Sequence, residues 1–176
     1  MLILYIWNPY LCDFMALVDE ELLNKISSIL KEKKLKIATA ESWTGGLIAH
    51  TLTNISGSSD YFDRGIVSYS NKAKIELLDV SKTVLDEHGA VSKPVAEAMA
   101  LGIRKKSKVD IGLSSTGIAG PTGGTKDKPV GLVHIAISTE NKTYSKKFLF
   151  SGDRLQNKIS TCNAALQLLY EYLKTL

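Results

Sequence analysis

The sequence predicts an α/β fold: a three-layer α/β/α domain around a mixed, mostly parallel sheet. Short apolar runs of strand length alternate along the chain with stretches of helical spacing. Glycine-rich turns follow two of the apolar runs, at TAESWTGG (Thr39–Gly46) and TGIAGPTGGTKDKPVG (Thr116–Gly131). Two late strand patterns are separated by little more than Glu140–Lys142, which gives the sheet an antiparallel pair. In sheets of this kind ligands bind beyond the C-terminal ends of the strands, where the glycine-rich turns lie.

Each element follows from local pattern. Leu22, Leu23, Ile26, Ile29 and Leu30 recur at helical spacing, predicting an amphipathic helix over 19–34. KIATA (36–40) reads as a buried strand, and a second helix is expected from Thr44 to Asn54. YFDRGIVSYS (61–70) reads as a strand, and NKAKIELL (71–78) as a helix with Asn71 as its N-cap. Ser92 followed by Pro94 opens a helix through VAEAMALGIRKKS. VDIGLSST (109–116) alternates as a strand, and VGLVHIAIST with KTYSKKFLF forms the late hairpin. The last helix is expected from about Arg154 to Leu173, with Asp153 able to cap it. No repeat or low-complexity tract divides the chain, so residues 19–176 are expected to form one domain preceded by an extension, 1–18. That extension is apolar but broken by Asn8-Pro9, and it has neither a basic leader nor a small-residue cleavage site, so a signal peptide is not expected. Met15 is a second candidate start.

With 44% hydrophobic and 23% charged residues, the composition is that of a globular protein with one core. No run approaches the roughly 18 apolar residues of a membrane span. A formal net charge of +4 favours anionic ligands and falls short of a dedicated nucleic-acid footprint. KEKKLK and RKKSK lie at expected helix ends, where cations suit the macrodipole. Cys12 and Cys162 form no CxxC, which points to a reducing, cytoplasmic setting. His50, His88 and His134 are scattered, with no acid at ligand spacing, so no metal site is expected.

Four stretches could carry chemistry. Ser42 lies where a strand gives way to the expected helix start Thr44-Gly45-Gly46. A hydroxyl beside unpaired backbone N–H groups is half of what acyl transfer requires, and it is also what a helix cap looks like. No GxSxG elbow is present, and a base would have to be a lysine kept neutral by burial. SYSNKAK supplies Tyr69, Lys72 and Lys74 at a strand-to-helix junction. Thr116–Gly131 holds five of the 13 glycines and lets backbone amides approach a phosphate or carboxamide, yet it is neither a Walker A loop nor a GxGxxG turn. In FSGDR, Arg154 stands in the first turn of the last helix, against the macrodipole, a place suited to an arginine that meets an anion. Ser28-x-x-Lys31 has SxxK spacing but falls in the first amphipathic helix and reads as surface.

Together TAESWTGGLIAHTLTNISGSSDYFDRGIVSYSNKAK, GAVSKPVAEAMALGIR, STGIAGPTGGTKDKPVG and FSGDR resemble, in order and spacing over about residues 20–174, the C-terminal domain of the competence/damage-inducible protein CinA, also found alone as nicotinamide-nucleotide amidohydrolase. The resemblance implies a three-layer fold that associates as a homo-oligomer and needs no cofactor or metal; from the charge and hydropathy above, neither nucleic acid nor membrane is expected as a partner. It implies hydrolysis of the carboxamide of nicotinamide mononucleotide, giving nicotinate mononucleotide and ammonia. By matching motifs, the nucleophile falls on Ser42, the base on Lys74 and a relaying or orienting hydroxyl on Tyr69. Substrate-binding positions fall on Thr116 and Arg154, and the same reading extends them to Glu41, Thr44, Gly45, Gly46, Asn71 and Gly120. Gly45 and Gly46 would open N–H groups to an oxyanion, and Glu41 would orient the lysine or the carboxamide nitrogen. Position 43, small or Cys in the family, is Trp43 here and is expected mainly to pack. The pyrophosphatase-like domain of longer members is not carried over. Competing readings are a silent nucleotide-binding module and an amidase for another small amide.

Overall fold

A computed structural model describes residues 19–176; the extension 1–18 lies outside the described residues. Asp19 caps α1 (Glu20–Glu32) by accepting the Leu22 N–H at 2.9 Å, and Glu20 and Glu21 complement the N-terminal end of its dipole. β1 (Ile37–Glu41) follows and is buried along its whole length, because it lies between two other strands. After α2 (Leu47–Thr53) and a 3₁₀ turn, β2 (Phe62–Val67) pairs parallel with β1. Three helices then occur in succession: α3 (Asn71–Leu78), α4 (Lys82–His88) and α5 (Lys93–Ser107). β3 (Ile111–Gly117) pairs parallel with β1 on its other side. β4 (Leu132–Ser138) and β5 (Thr143–Leu149) complete the sheet before α6 (Arg154–Leu173).

The strand order is β2-β1-β3-β4-β5. Its β3–β4 and β4–β5 pairs are antiparallel, so the expected mostly parallel sheet is corrected to an even division of parallel and antiparallel pairs. The reason lies in the connection: 118–131 contains no crossover helix, and without one β4 returns alongside β3 in the opposite direction. The three layers are as expected. α1, α2 and α6 bury Leu23, Ile26, Leu52 and Leu166 against Ile37, Ile111 and Ile135 on one face. α3, α4 and α5 bury Leu78, Leu85 and Met99 against Ala38 and Ala40 on the other. That alternation along β1 is the period-two pattern of a strand covered on both sides.

Three local expectations are corrected. α2 begins at Leu47 and not Thr44, because Gly45 and Gly46 take left-handed φ values of 67° and 97° that no helix contains. Ser70, not Asn71, caps α3, its Oγ accepting the Ala73 N–H at 3.0 Å. α4 was not foreseen: this short helix fully buries only Leu85, too little to leave a periodic signature.

Candidate functional site

The chain leaving β1 goes to α2 on one face, and the chain leaving β2 goes through α3–α5 on the other before entering β3. The C-terminal ends of β1 and β3 therefore form a point where connections diverge, and a cleft of about 280 Å³ opens there. Its lining includes Ser42, Tyr69, Lys74, Thr116, Gly120 and Arg154.

Ser42 is held from both sides. Its N–H donates to Ser115 O at 3.0 Å, extending the β1–β3 ladder by one residue. On the other side the Ser68 N–H donates to Glu41 O at 2.7 Å, extending the β1–β2 ladder. The Ser70 cap starts α3 so that Lys74 lies one turn in, on the helix face that also buries Leu78. Lys74 is only 1% exposed, and its Nζ donates to Ser42 Oγ at 3.0 Å and to Ser68 O at 2.8 Å. Among the described residues no carboxylate pairs with it, and burial pulls the ammonium down to about 8 from an ordinary 10.5. A serine hydroxyl in contact with a lysine that loses its proton so readily is a nucleophile–base pair in arrangement.

The other anticipated residues divide. Thr116 lies at the end of β3, and its Oγ1 donates to Ala90 O at 2.8 Å, fastening the α4–α5 loop as the opposite wall of the cleft. Arg154 donates through Nη1 to Gly120 O at 3.0 Å and through Nη2 to the Tyr69 hydroxyl at 2.9 Å. Tyr69 is thus 59% exposed at the cleft mouth, and its hydroxyl meets Arg154 rather than Lys74 or Ser42. Trp43 is packed in the core, as expected, at 3% exposure, while its indole also borders the cleft.

Glu41, Thr44, Gly45, Gly46 and Asn71 do not line the cleft. Glu41 is buried and accepts the N–H groups of Gly46 (3.0 Å), Ile48 (3.1 Å) and Ala49 (2.8 Å), so it closes the N-terminus of α2 and touches neither the lysine nor the cleft. The Gly46 N–H is therefore taken, and the Gly45 N–H donates to Ser42 O at 3.2 Å, which corrects the expectation that both are free for an oxyanion. The Thr44 hydroxyl is paired with Ser115 Oγ at 2.8 Å, and Asn71 is exposed on α3. Ser68 and the Ala90–Val91 wall were not foreseen; Ser68 acts through its main-chain oxygen, which leaves no trace in sequence, whereas GAVSKP was visible as a motif without a role.

Larger hollows of about 440, 680 and 420 Å³ contain no buried lysine, and the only serine among their lining residues is Ser28 of α1 in the last. Among the described residues no three His, Cys, Asp or Glu side chains converge as metal ligands, and no helix is long and apolar enough to cross a membrane. Cys162 is buried beside Thr51, and burial pushes its thiol up to about 11, so it is no competing nucleophile.

The sequence profile of the CinA C-terminal domain matches residues 19–173. The CinA-like protein of Syntrophus aciditrophicus is 51% identical over 156 residues, covering 88% of this chain and 37% of that protein. The CinA-like protein of Geotalea uraniireducens is 50% identical over 151 residues, covering 86% and 36%. The chain thus spans a little over a third of the length of these relatives. Among solved structures, the competence/damage inducible protein CihA from Agrobacterium tumefaciens is similar with a TM-score of 0.85 at 41% identity, over 88% of this chain and 94% of that one. A CinA superfamily protein from Escherichia coli is similar with a TM-score of 0.80 at 32% identity, over 85% and 90%.

Proposed function

The chain belongs to the CinA C-terminal domain family, and from that premise we propose that it hydrolyses the carboxamide of nicotinamide mononucleotide to nicotinate mononucleotide and ammonia. The observation that carries this reading is the 3.0 Å contact between Lys74 Nζ and Ser42 Oγ inside the cleft. In the reaction, neutral Lys74 takes the Ser42 proton as Oγ attacks the amide carbon. The proton passes to the departing ammonia, leaving an acyl ester on Ser42. Water then attacks that ester, Lys74 again accepting a proton and returning it to Ser42 Oγ.

With its amine near 8, about a tenth of Lys74 is neutral at pH 7. For an ordinary lysine at 10.4 the fraction would be some hundreds of times smaller. Of the N–H groups in this turn, that of Trp43, a residue bordering the cleft, is left to meet the oxyanion, because those of Ser42, Gly45 and Gly46 are engaged and Thr44 is buried away from the cleft. Apolar walls from Trp43, Val91 and Ile118 suit a pyridine ring, and Arg154 at the mouth suits the phosphate. Tyr69 then acts by holding Arg154, not by relaying protons from Lys74. Homo-oligomeric association and a cytoplasmic location belong to the same reading.

The test is ammonia release from nicotinamide mononucleotide by chelator-treated protein, beside Ser42→Ala. Wild-type release that falls by about 10³-fold or more in the variant is expected. Undiminished release by Ser42→Ala would remove the serine from the mechanism, and no release by the wild type would remove the substrate.

A further inference from the structure

α6 opens with a charge pattern that works against its own stability. Its first turn contains no acid, while Arg154 and Lys158 stand four residues apart on one face of its first two turns. Cations there oppose the macrodipole, and like charges at this spacing repel. Arg154 is engaged with Gly120 O and the Tyr69 hydroxyl. Lys158, half-buried, makes no hydrogen bond or ion pair with any described residue. Its Nζ lies over Gly45, 3.5 Å from where a Cβ on that glycine would stand. Gly45 belongs to the turn that begins with Ser42, its N–H donating to Ser42 O. One cation of α6 therefore stands beside Tyr69 and Gly120 at the cleft mouth, and the next stands above the turn that carries the serine.

We propose that Lys158 is the second cation of the phosphate subsite, a specificity-determining residue that, with Arg154, selects a phosphate monoester over a phosphodiester or a nucleoside without phosphate. This rests on the mononucleotide reading above. A monoester carries close to two negative charges at pH 7 and has three terminal oxygens to share, so it rewards two separate donors; a diester carries one charge. The guanidinium supplies a fixed fork, and the ammonium on its flexible stem follows the remaining oxygen. An uncompensated lysine beside an arginine is then explained by the anion that joins them.

A structural alternative is that Lys158 offsets the buried Glu41 carboxylate, which is held by the neighbouring Gly46 N–H. The two roles separate in Lys158→Met and Lys158→Arg. The subsite role expects the preference for nicotinamide mononucleotide over nicotinamide riboside, as a ratio of kcat/KM, to fall roughly ten- to hundred-fold in Lys158→Met, carried by KM, and to return in Lys158→Arg. It also expects the ligand-free Tm of Lys158→Met to equal or exceed that of the wild type. An unchanged preference, or a lowered ligand-free Tm with both substrates impaired alike, overturns it. Should the wild type turn over neither amide, the proposed reaction fails, and the subsite is still read by thermal shift with inorganic phosphate. A rise in Tm for the wild type that is lost in Lys158→Met supports the subsite. No rise in the wild type, or an equal rise in both, rejects it.

Discussion

The N-termini of α2 and α6 both lie at the cleft end of the sheet, and the chain completes them in opposite ways. At α2 three N–H groups are filled by the carboxylate of Glu41, a buried residue from the end of β1. At α6 the cap is local and exposed: Asp153 accepts the Gln156 N–H at 2.8 Å, and Gln156 Oε1 accepts the Asp153 N–H at 2.9 Å. In the two turns beyond that cap stand two cations and no acid. A helix start sealed by the protein's own carboxylate has no room for a ligand anion and serves to fix the turn that carries Ser42. A helix start followed by one exposed and one half-buried cation is, on the subsite proposed above, open to one. On that proposal, helix termini in one site do scaffold work and binding work, and the residue that meets the N–H groups decides which.

The largest expected effect comes from breaking the sealed terminus. Glu41→Ala removes a buried carboxylate and leaves three N–H groups unsatisfied, so a loss of about 3–5 kcal/mol in unfolding free energy is expected by denaturant titration. Glu41→Gln keeps the shape and one acceptor oxygen, and roughly half of that loss is expected. A loss below about 1 kcal/mol in Glu41→Ala would show that Glu41 is not what holds α2.

Lys74 sharpens the contrast, because it is a buried amine that in the proposed reaction serves as the base and not as a stabilising charge. Its amine falls from 10.5 to about 8 through burial alone, a handicap of roughly 3 kcal/mol for the charged form at 1.36 kcal/mol per pH unit. Lys74→Met should abolish turnover and still be about 1 kcal/mol more stable than the wild type at pH 7, since lost hydrogen bonds to Ser68 O and Ser42 Oγ offset part of the relief. The sign follows from linkage. Below pH 8 the lysine is charged in both states and the handicap is complete. Between 8 and 10.5 the unfolded chain binds more protons, so wild-type stability rises with pH relative to the variant, and the variant's advantage fades. In the same protein kcat/KM should rise with pH and level off above an inflection near 8, and a flat profile from pH 6 to 9 would exclude Lys74 as the base.

What could be read in the sequence follows from the range over which each signal acts. α1, α5, α6 and the β4–β5 hairpin announce themselves by periodicity, capping residues and a short connection, all local. The direction of β4 was also present, as a connection too poor in helix formers to cross over, and it was outweighed by the alternation elsewhere. The expected start of α2 falls three residues early because Gly45 and Gly46 take left-handed φ, and the N–H groups there are met by a strand residue, Glu41, whose carboxylate beside a serine looks catalytic until burial shows it occupied. Ser42 and Lys74 were proposed as partners from the family resemblance; their contact spans 32 residues, and no local pattern states it. The hydroxyl of Tyr69 was assigned to the lysine when its partner, Arg154, lies 85 residues away.

The smallest effect lies at the open terminus, and it separates cap from charge. Asp153 both caps α6 and places a negative charge next to Arg154. Asp153→Ala should cost about 1 kcal/mol of stability, the ordinary worth of an N-cap. Asp153→Asn caps about as well, so stability should stay within roughly 0.5 kcal/mol, while removal of the charge should lower KM for a phosphate-bearing substrate about two-fold at low salt. The sign of the change carries the argument: an anion held by Arg154 and Lys158 must gain when Asp153 is neutralised. A KM that rises instead would mean that the carboxylate orients the cations, and that this terminus, like that of α2, is arranged around the protein's own acid.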